Sequence, residues 1–286
     1  MTKTLISFGH GYSASALAQR LLPLGWTIFG TTRSPERAQT IRTSGVTPIL
    51  LADDGMPETL SQALPKASHI LVSAGPDTQG DPTLNRFRDQ ITAAPHLQWV
   101  GYLSTTGVYG DHQGAWVDEN TPLTPSTKRG QWRVAAERDW QSVPGLPLHI
   151  FRLAGIYGPG RGPFAKVRNG TARRIIKANQ VFSRIHVADI AQVLHASIEQ
   201  PNPGAVYNLC DDDPAPPQDV IAHAAKLLHL PVPPAIPFEN AEMTPMARSF
   251  YAESKRVRNT RIKEELGVRL LFPDYRVGLQ ALLDSA

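Results

Sequence analysis

Thr4-Leu5-Ile6-Ser7-Phe8-Gly9-His10-Gly11-Tyr12-Ser13-Ala14 carries an apolar strand directly into Gly-x-Gly-x-x-Ala and then into a helical pattern. Gly9 permits a tight strand-to-helix turn, Gly11 lets backbone approach a pyrophosphate, and Ala14 lets the helix pack closely on the sheet. The free N–H groups and dipole of the helix N-terminus favour an anion. The stretch reads as a dinucleotide site with Gly9, His10, Gly11, Tyr12 and Ser13 as contact residues. A Gly-rich turn without a ligand is the alternative reading.

Further apolar runs recur at Thr27 to Thr31, Thr47 to Leu51, His69 to Ser73, Trp99 to Ser104 and Leu148 to Leu153. Helical patterns lie between them, at Pro35 to Thr43, Pro57 to Leu64, Pro82 to Ala93 and Gln131 to Gln141. This alternation predicts an α/β, doubly wound parallel Rossmann sheet covered on both faces. After Ile156 the pattern loosens. A strand pair is expected around Arg174 to Ser183, a helix over Val187 to Glu199, a strand at Val206 to Leu209, and helices near Gln218 to Leu228 and Asp274 to Leu283. Residues 1–156 are expected to form the nucleotide domain. Residues 157–286 are expected to form a small C-terminal substrate lobe over the carboxyl ends of the strands, with parts returning to the sheet.

With 286 residues, 41% of them hydrophobic, the chain can bury a large core. No stretch is long enough to span a membrane, and the N-terminus lacks the apolar core of a signal peptide. One cysteine, Cys210, excludes an internal disulfide and argues against a Cys-rich metal site, which suits a reducing cytoplasm. Cys210 itself reads as a small buried hydrophobe. A net charge of +4 raises nucleic acid as a partner. The basic clusters at Arg168, Arg173, Arg174 and Lys177, and at Lys255, Arg256, Arg258, Arg261 and Lys263, are not interleaved with stacking aromatics and read as solvated faces. The expected partner is a small-molecule substrate, with the chain a monomer or a homodimer.

The second strand ends Phe29-Gly30-Thr31-Thr32-Arg33, where an NAD-selective site places an acid for the ribose 2′-hydroxyl. Arg33, with Arg37 one turn on, instead suits a 2′-phosphate, and Thr32 or Ser34 can add a hydroxyl. NADP is the expected cofactor, with NAD the alternative. Asp53 or Asp54 can accept from the adenine amino group, or belong to an ordinary turn.

Several segments together resemble the extended short-chain dehydrogenase/reductases, the sugar-nucleotide epimerase and dehydratase group, and more narrowly its atypical members. They are Gly9-x-Gly11, Val72-Ser73-Ala74-Gly75-Pro76, Leu103-Ser104-Thr105-Thr106-Gly107-Val108-Tyr109-Gly110 and Asp118-Glu119-Asn120-Thr121-Pro122. The series continues in Arg152-Leu153-Ala154-Gly155-Ile156-Tyr157-Gly158-Pro159-Gly160-Arg161, Ile185-His186-Val187-Ala188-Asp189-Ile190 and Tyr207-Asn208-Leu209. The resemblance implies a Rossmann domain holding NAD(P), with Ala74 and Gly75 lining the cofactor. It places Thr105 at the catalytic Ser/Thr position, whose hydroxyl binds the reacting oxygen, and Tyr109 on the pocket wall. A locally satisfied threonine and a core tyrosine are the competing readings.

The family's acid-base pair, Tyr-x-x-x-Lys, does not appear. Counting back from Glu137 places Arg133 at the lysine and Arg129 at the tyrosine, and no tyrosine occurs between Tyr109 and Tyr157. Arg133 can hold the nicotinamide ribose but cannot act as a base. Thr106-Gly107 stands where dehydratases carry Asp-Glu, which argues against the usual sugar dehydration. Tyr109, His112 and Asp111 are candidate replacements for the missing acid. His186 and Arg161 are candidate substrate contacts, with capping by His186 and a surface role for Arg161 as alternatives. Two functions follow: an oxidoreductase or epimerase-like enzyme with a non-standard acid, or a dinucleotide-binding sensor that has lost its chemistry.

Overall fold

Strands β1 (Thr4–Phe8), β2 (Thr27–Thr32), β3 (Thr47–Leu50), β4 (His69–Val72) and β5 (Trp99–Thr105) arise from the apolar runs of the first half. Every residue of β1 and of β4 is buried, as a sheet covered on both faces requires. The computed structural model describes residues 3–52 and 55–285. Helices α1 (Tyr12–Leu21), α2 (Pro35–Thr43), α3 (Glu58–Ala63) and α4 (Pro82–Thr92) connect these strands. A two-residue β6 (Trp116–Val117) precedes α5 (Lys128–Gln141) and β7 (Leu148–Leu153). Helix α5 starts three residues before the Gln131 expected for it, because Thr127 caps it by accepting the Gly130 N–H at 3.1 Å.

The second half supplies β8 (Gly155–Tyr157), α6 (Phe164–Arg168), β9 (Arg174–Ile176), β10 (Arg184–His186), α7 (Val187–Glu199) and β11 (Val206–Leu209). It ends with α8 (Pro217–Leu227), β12 (Ala235–Pro237), α9 (Pro245–Phe250), β13 (Arg256–Val257), α10 (Thr260–Leu266) and α11 (Tyr275–Asp284). Among the described residues no helix is long and apolar enough to cross a membrane.

Seven parallel strands form the central sheet in the order β11-β7-β5-β4-β1-β2-β3. The chain runs outward in one direction from β1 and in the other from β4, so the crevice at the switch point lies between them. Leu17, Leu21, Ile190, Leu194 and Ile262 cover one face through α1, α7 and α10. Leu60, Leu84, Phe87 and Trp140 cover the other through α3, α4 and α5. A separate apolar cluster of Phe164, Val167, Ala224, Tyr275 and Leu279 joins α6, α8 and α11.

The expected strand pair around Arg174 to Ser183 is not a hairpin. β9 pairs with β12 and β10 with β8, both in parallel, and β6 pairs with β13. The β8–β10 and β6–β13 ribbons tie later segments back onto the chain that leaves β7 and β5, while β9–β12 joins two segments of the second half to each other.

Candidate functional site

At the switch point Gly9 has φ of +77°, and a Cβ there would come 2.8 Å from the Ala74 amide nitrogen. Only glycine allows this approach of the turns after β1 and β4. The turn is pinned to β2: Gly9 N–H donates to Thr31 Oγ1 at 2.8 Å, and His10 N–H donates to Thr31 O at 2.9 Å. Ser73 Oγ closes it from β4 by a hydrogen bond to Gly9 O. Gly11 caps α1 without a side-chain hydrogen bond, and a Cβ on it would meet only Gly9 O, at 3.7 Å. The first amides of α1 therefore face space that an anion can enter. Ser13 is buried beneath them, while Tyr12 lies at the rim.

The His10 ring lies against Gly30, where a Cβ would come 2.6 Å from its Cγ. Its Nδ1 is 3.2 Å from Ser7 Oγ. Burial first, then the Arg37 charge, lower its pKa to about 4, so the imidazole is neutral at physiological pH. Beyond it Thr32 Oγ1 accepts the Ser34 N–H at 3.2 Å and turns the chain out of β2. Arg33 and Arg37 are exposed and make no ion pair among the described residues. Ser34 caps α2 and donates to Glu36 at 2.5 Å, which holds that acid at the helix N-terminus. Asp53 and Asp54 lie outside the described residues.

Across the crevice, Gly75 is exposed, and a Cβ on it would be 3.5 Å from Arg133 Nη2. Arg133 reaches there from α5 because Nη1 donates to Tyr102 Oη at 3.0 Å and to Leu103 O at 2.5 Å. Thr105 ends β5 and is half-buried. Its Oγ1 accepts the Gly107 N–H at 3.1 Å, which leaves its proton to donate elsewhere. Gly9, Gly11, Ala74, Gly75, Arg133 and Thr105 thus share one carboxyl edge. Arg129 projects from the first turn of α5 and is exposed.

Tyr109 departs from its expected place on the pocket wall. It is fully buried, its hydroxyl donates to Asn208 Oδ1 at 2.7 Å and accepts from Arg152 at 3.0 Å, and burial raises its pKa to about 12. A group so enclosed does not meet a substrate. His112 is likewise engaged, its ring 3.1 Å from Tyr109 O and its N–H on Ser254 O. Asp111 accepts the Ser254 N–H at 2.7 Å.

Sequence reasoning missed two buried charges beside this edge. Arg152 lies in the wholly buried β7 and pairs with Glu137 at 2.8 Å. Lys255, grouped with the surface basic residues, is buried and donates to Gly110 O and to Glu253, each at 2.6 Å. The signal for Arg152 was its position inside an apolar run; Lys255 gave none. His186 caps α7, its Nδ1 accepting the Ala188 N–H at 3.2 Å. Arg161 lies over the Tyr12 ring, 5.8 Å from its centroid.

No protein-family model matches the chain. A solved structure from Silicibacter pomeroyi, described as a functionally unknown conserved protein, is 61% identical, covers 99% of each chain and superposes with a TM-score of 0.92. Protein YeeZ of Escherichia coli strain K12 is 29% identical over 95% of this chain and 97% of its own. The human epimerase family protein SDR39U1, solved with NADPH, is 19% identical, with 99% and 100% of the two chains covered and a TM-score of 0.76. The chain therefore belongs to one family with the Silicibacter pomeroyi protein, a family built on the extended short-chain dehydrogenase/reductase fold of the NAD-dependent epimerases and dehydratases.

Proposed function

We propose that the chain binds NADP(H) and acts as an oxidoreductase or epimerase-like enzyme on a small molecule bearing a carbonyl or alcohol. The observation that carries this reading is the convergence of the Gly9–Gly11 turn, Gly75, Arg133 and Thr105 on one edge of the sheet, with Arg33 and Arg37 beyond β2. Fold neighbours such as SDR39U1, solved with NADPH, support the cofactor class.

In this reading the amides at the start of α1 hold the pyrophosphate, and Arg33 with Arg37 holds the 2′-phosphate. Ala74 and Gly75 line the nicotinamide end, and Arg133 holds the adjoining ribose. The bound nicotinamide supplies hydride transfer. Thr105, its lone pair fixed by Gly107 N–H, donates its proton to the reacting oxygen and stabilises charge that develops there. Arg133 stays protonated and moves no proton. With Tyr109 buried, the proton that accompanies reduction is drawn from solvent at Thr105.

Titration with NADPH and NADH tests the site. Arg33→Ala is expected to weaken NADPH about tenfold and to leave NADH within about twofold, since only NADPH carries the group that the guanidinium pairs with. Equal affinity of the variant and the parent for NADPH would remove Arg33 from the site. With a turned-over carbonyl substrate, Thr105→Val should lower turnover on the order of a hundredfold with cofactor affinity unchanged, and Thr105→Ser should restore much of it. Undiminished turnover by Thr105→Val would refute the assigned contact.

A second reading, a dinucleotide-binding sensor, is favoured by one observation: Tyr109, the candidate replacement acid, is sealed in the core. Tight NADPH binding with no oxidation across a broad carbonyl panel would select it.

A further inference from the structure

Tyr12 opens α1 and reaches across the mouth of the Gly-rich turn to the loop after β8, where its hydroxyl donates to Pro159 O at 2.9 Å. That loop closes on itself, with Gly158 N–H bonded to Arg161 O and Arg161 N–H to Gly158 O, both at 2.9 Å. The closed turn sets the Arg161 guanidinium over the Tyr12 ring. Gly158 has φ of +152°, and a Cβ there would come 2.5 Å from Tyr12 Oη and 3.4 Å from His186 Nε2, so a side chain at this position would prevent the approach.

His186 supplies an independent observation. It is 4% exposed, and its Nδ1 accepts the Ala188 N–H, so the neutral ring carries its proton on Nε2. That Nε2–H is buried and has no acceptor. That Nε2 lies 3.4 Å from where a Gly158 Cβ would stand, so the loop packs directly on the ring and only glycine lets it approach Tyr12 this closely. The Arg161 guanidinium is exposed and makes no ion pair among the described residues.

We propose that Arg161 is a cofactor residue: its guanidinium pairs with the diphosphate of a dinucleotide held at the N-terminus of α1, and the Tyr12–Pro159 bridge fastens its loop there. The inference rests on the dinucleotide reading above and reassigns Arg161 from the substrate to the cofactor. In consequence the second half of the chain closes over the cofactor as well as over the substrate.

Calorimetric titration with NADPH, NADH and adenosine 2′-monophosphate tests it. Arg161→Gln should weaken both dinucleotides about tenfold and leave adenosine 2′-monophosphate, which has no diphosphate, unchanged. Arg33→Ala should show the opposite pattern, sparing NADH. Arg161→Lys should retain part of the affinity, and the Arg161→Gln loss should shrink in high salt. Because Arg161 is exposed, its variants should melt with the parent protein. Unchanged dinucleotide affinity in Arg161→Gln, or an equal loss for adenosine 2′-monophosphate, overturns the clamp while the dinucleotide site stands. Failure of the parent protein to bind either dinucleotide overturns both.

Discussion

Glu137→Ala is expected to cost about 3–5 kcal/mol of folding stability, because it strands a guanidinium in the interior. The Arg152 and Glu137 side chains are 6% and 2% exposed, and they meet at 2.8 Å. Arg152 Nε donates to both carboxylate oxygens, at 3.3 and 3.2 Å, so the contact is a fork and not a single bond. Ser104 donates to the same carboxylate from β5. Arg152 also donates to Tyr109, which in turn holds Asn208 on β11. The Glu119 carboxylate accepts the Asn208 N–H at 2.8 Å. One buried network thus joins α5, β5, β7 and β11 directly behind Thr105. Removing the acid leaves Arg152 with a charge it cannot shed, since a guanidinium stays protonated. In a chain of this length that loss should lower Tm by about 10 °C, read by calorimetry together with the denaturant midpoint. Replacing both partners at once, as Glu137→Leu with Arg152→Met, should cost less than Glu137→Ala alone. A fall in Tm of less than about 2 °C for Glu137→Ala would show that water reaches the pair and that the network is not what fixes this edge.

The same residues show why the sheet was legible and the site only partly so. β1, β7 and β11 follow their apolar runs to the residue, because strands of a sheet covered on both faces are mostly apolar. Gly9 and Gly11 were legible for the same reason: a backbone demand fixes the residue type. The ribbons β8–β10, β9–β12 and β6–β13 were not, since strands of two or three residues carry no periodicity and their partners lie far off in sequence. Tyr109 was placed at the pocket by the family resemblance of its segment. The short helical turn at Thr106–Tyr109 rotates its ring inward, where Arg152 and Asn208 satisfy the hydroxyl. Arg161 was placed with the substrate because it follows Gly158-Pro159-Gly160 in the later half. The contact with Tyr12 spans nearly 150 positions, and no local pattern announces it. Cys210 is buried, its thiol on Val257 O at 3.1 Å, in line with its size and apolar neighbours.

Asp211→Asn is expected to stabilise the protein at pH 8 and to do little at pH 4. Asp211 follows β11, is 1% exposed, and neither carboxylate oxygen has a hydrogen-bond partner of good geometry. Arg184 on β10 faces it and favours the charged form, and Asp213 opposes that. Burial is the largest effect and raises the pKa to about 8. Tyr157, also buried nearby, has its phenol pushed upward by burial and by Asp211, and so it stays neutral across this range. In the unfolded chain an aspartate ionises near pH 4. Between about pH 4 and pH 8 the unfolded chain has therefore lost a proton that the folded chain still holds. Stability drains away as pH rises through that window and levels off above it. The rise from 3.8 to about 8 sets an upper limit of about 6 kcal/mol on the loss. Asparagine keeps the shape of the protonated acid and has no proton to lose. Urea unfolding of both proteins at pH 4.5, 6.5 and 8 should show the two curves diverging with pH, the variant ahead by several kcal/mol at the alkaline end. A difference that stays constant with pH would mean that Arg184 outweighs burial and that Asp211 is ionised in the folded protein. In that case the sign of the effect reverses: the pair becomes a buried salt bridge, and Asp211→Asn should destabilise at every pH above 4.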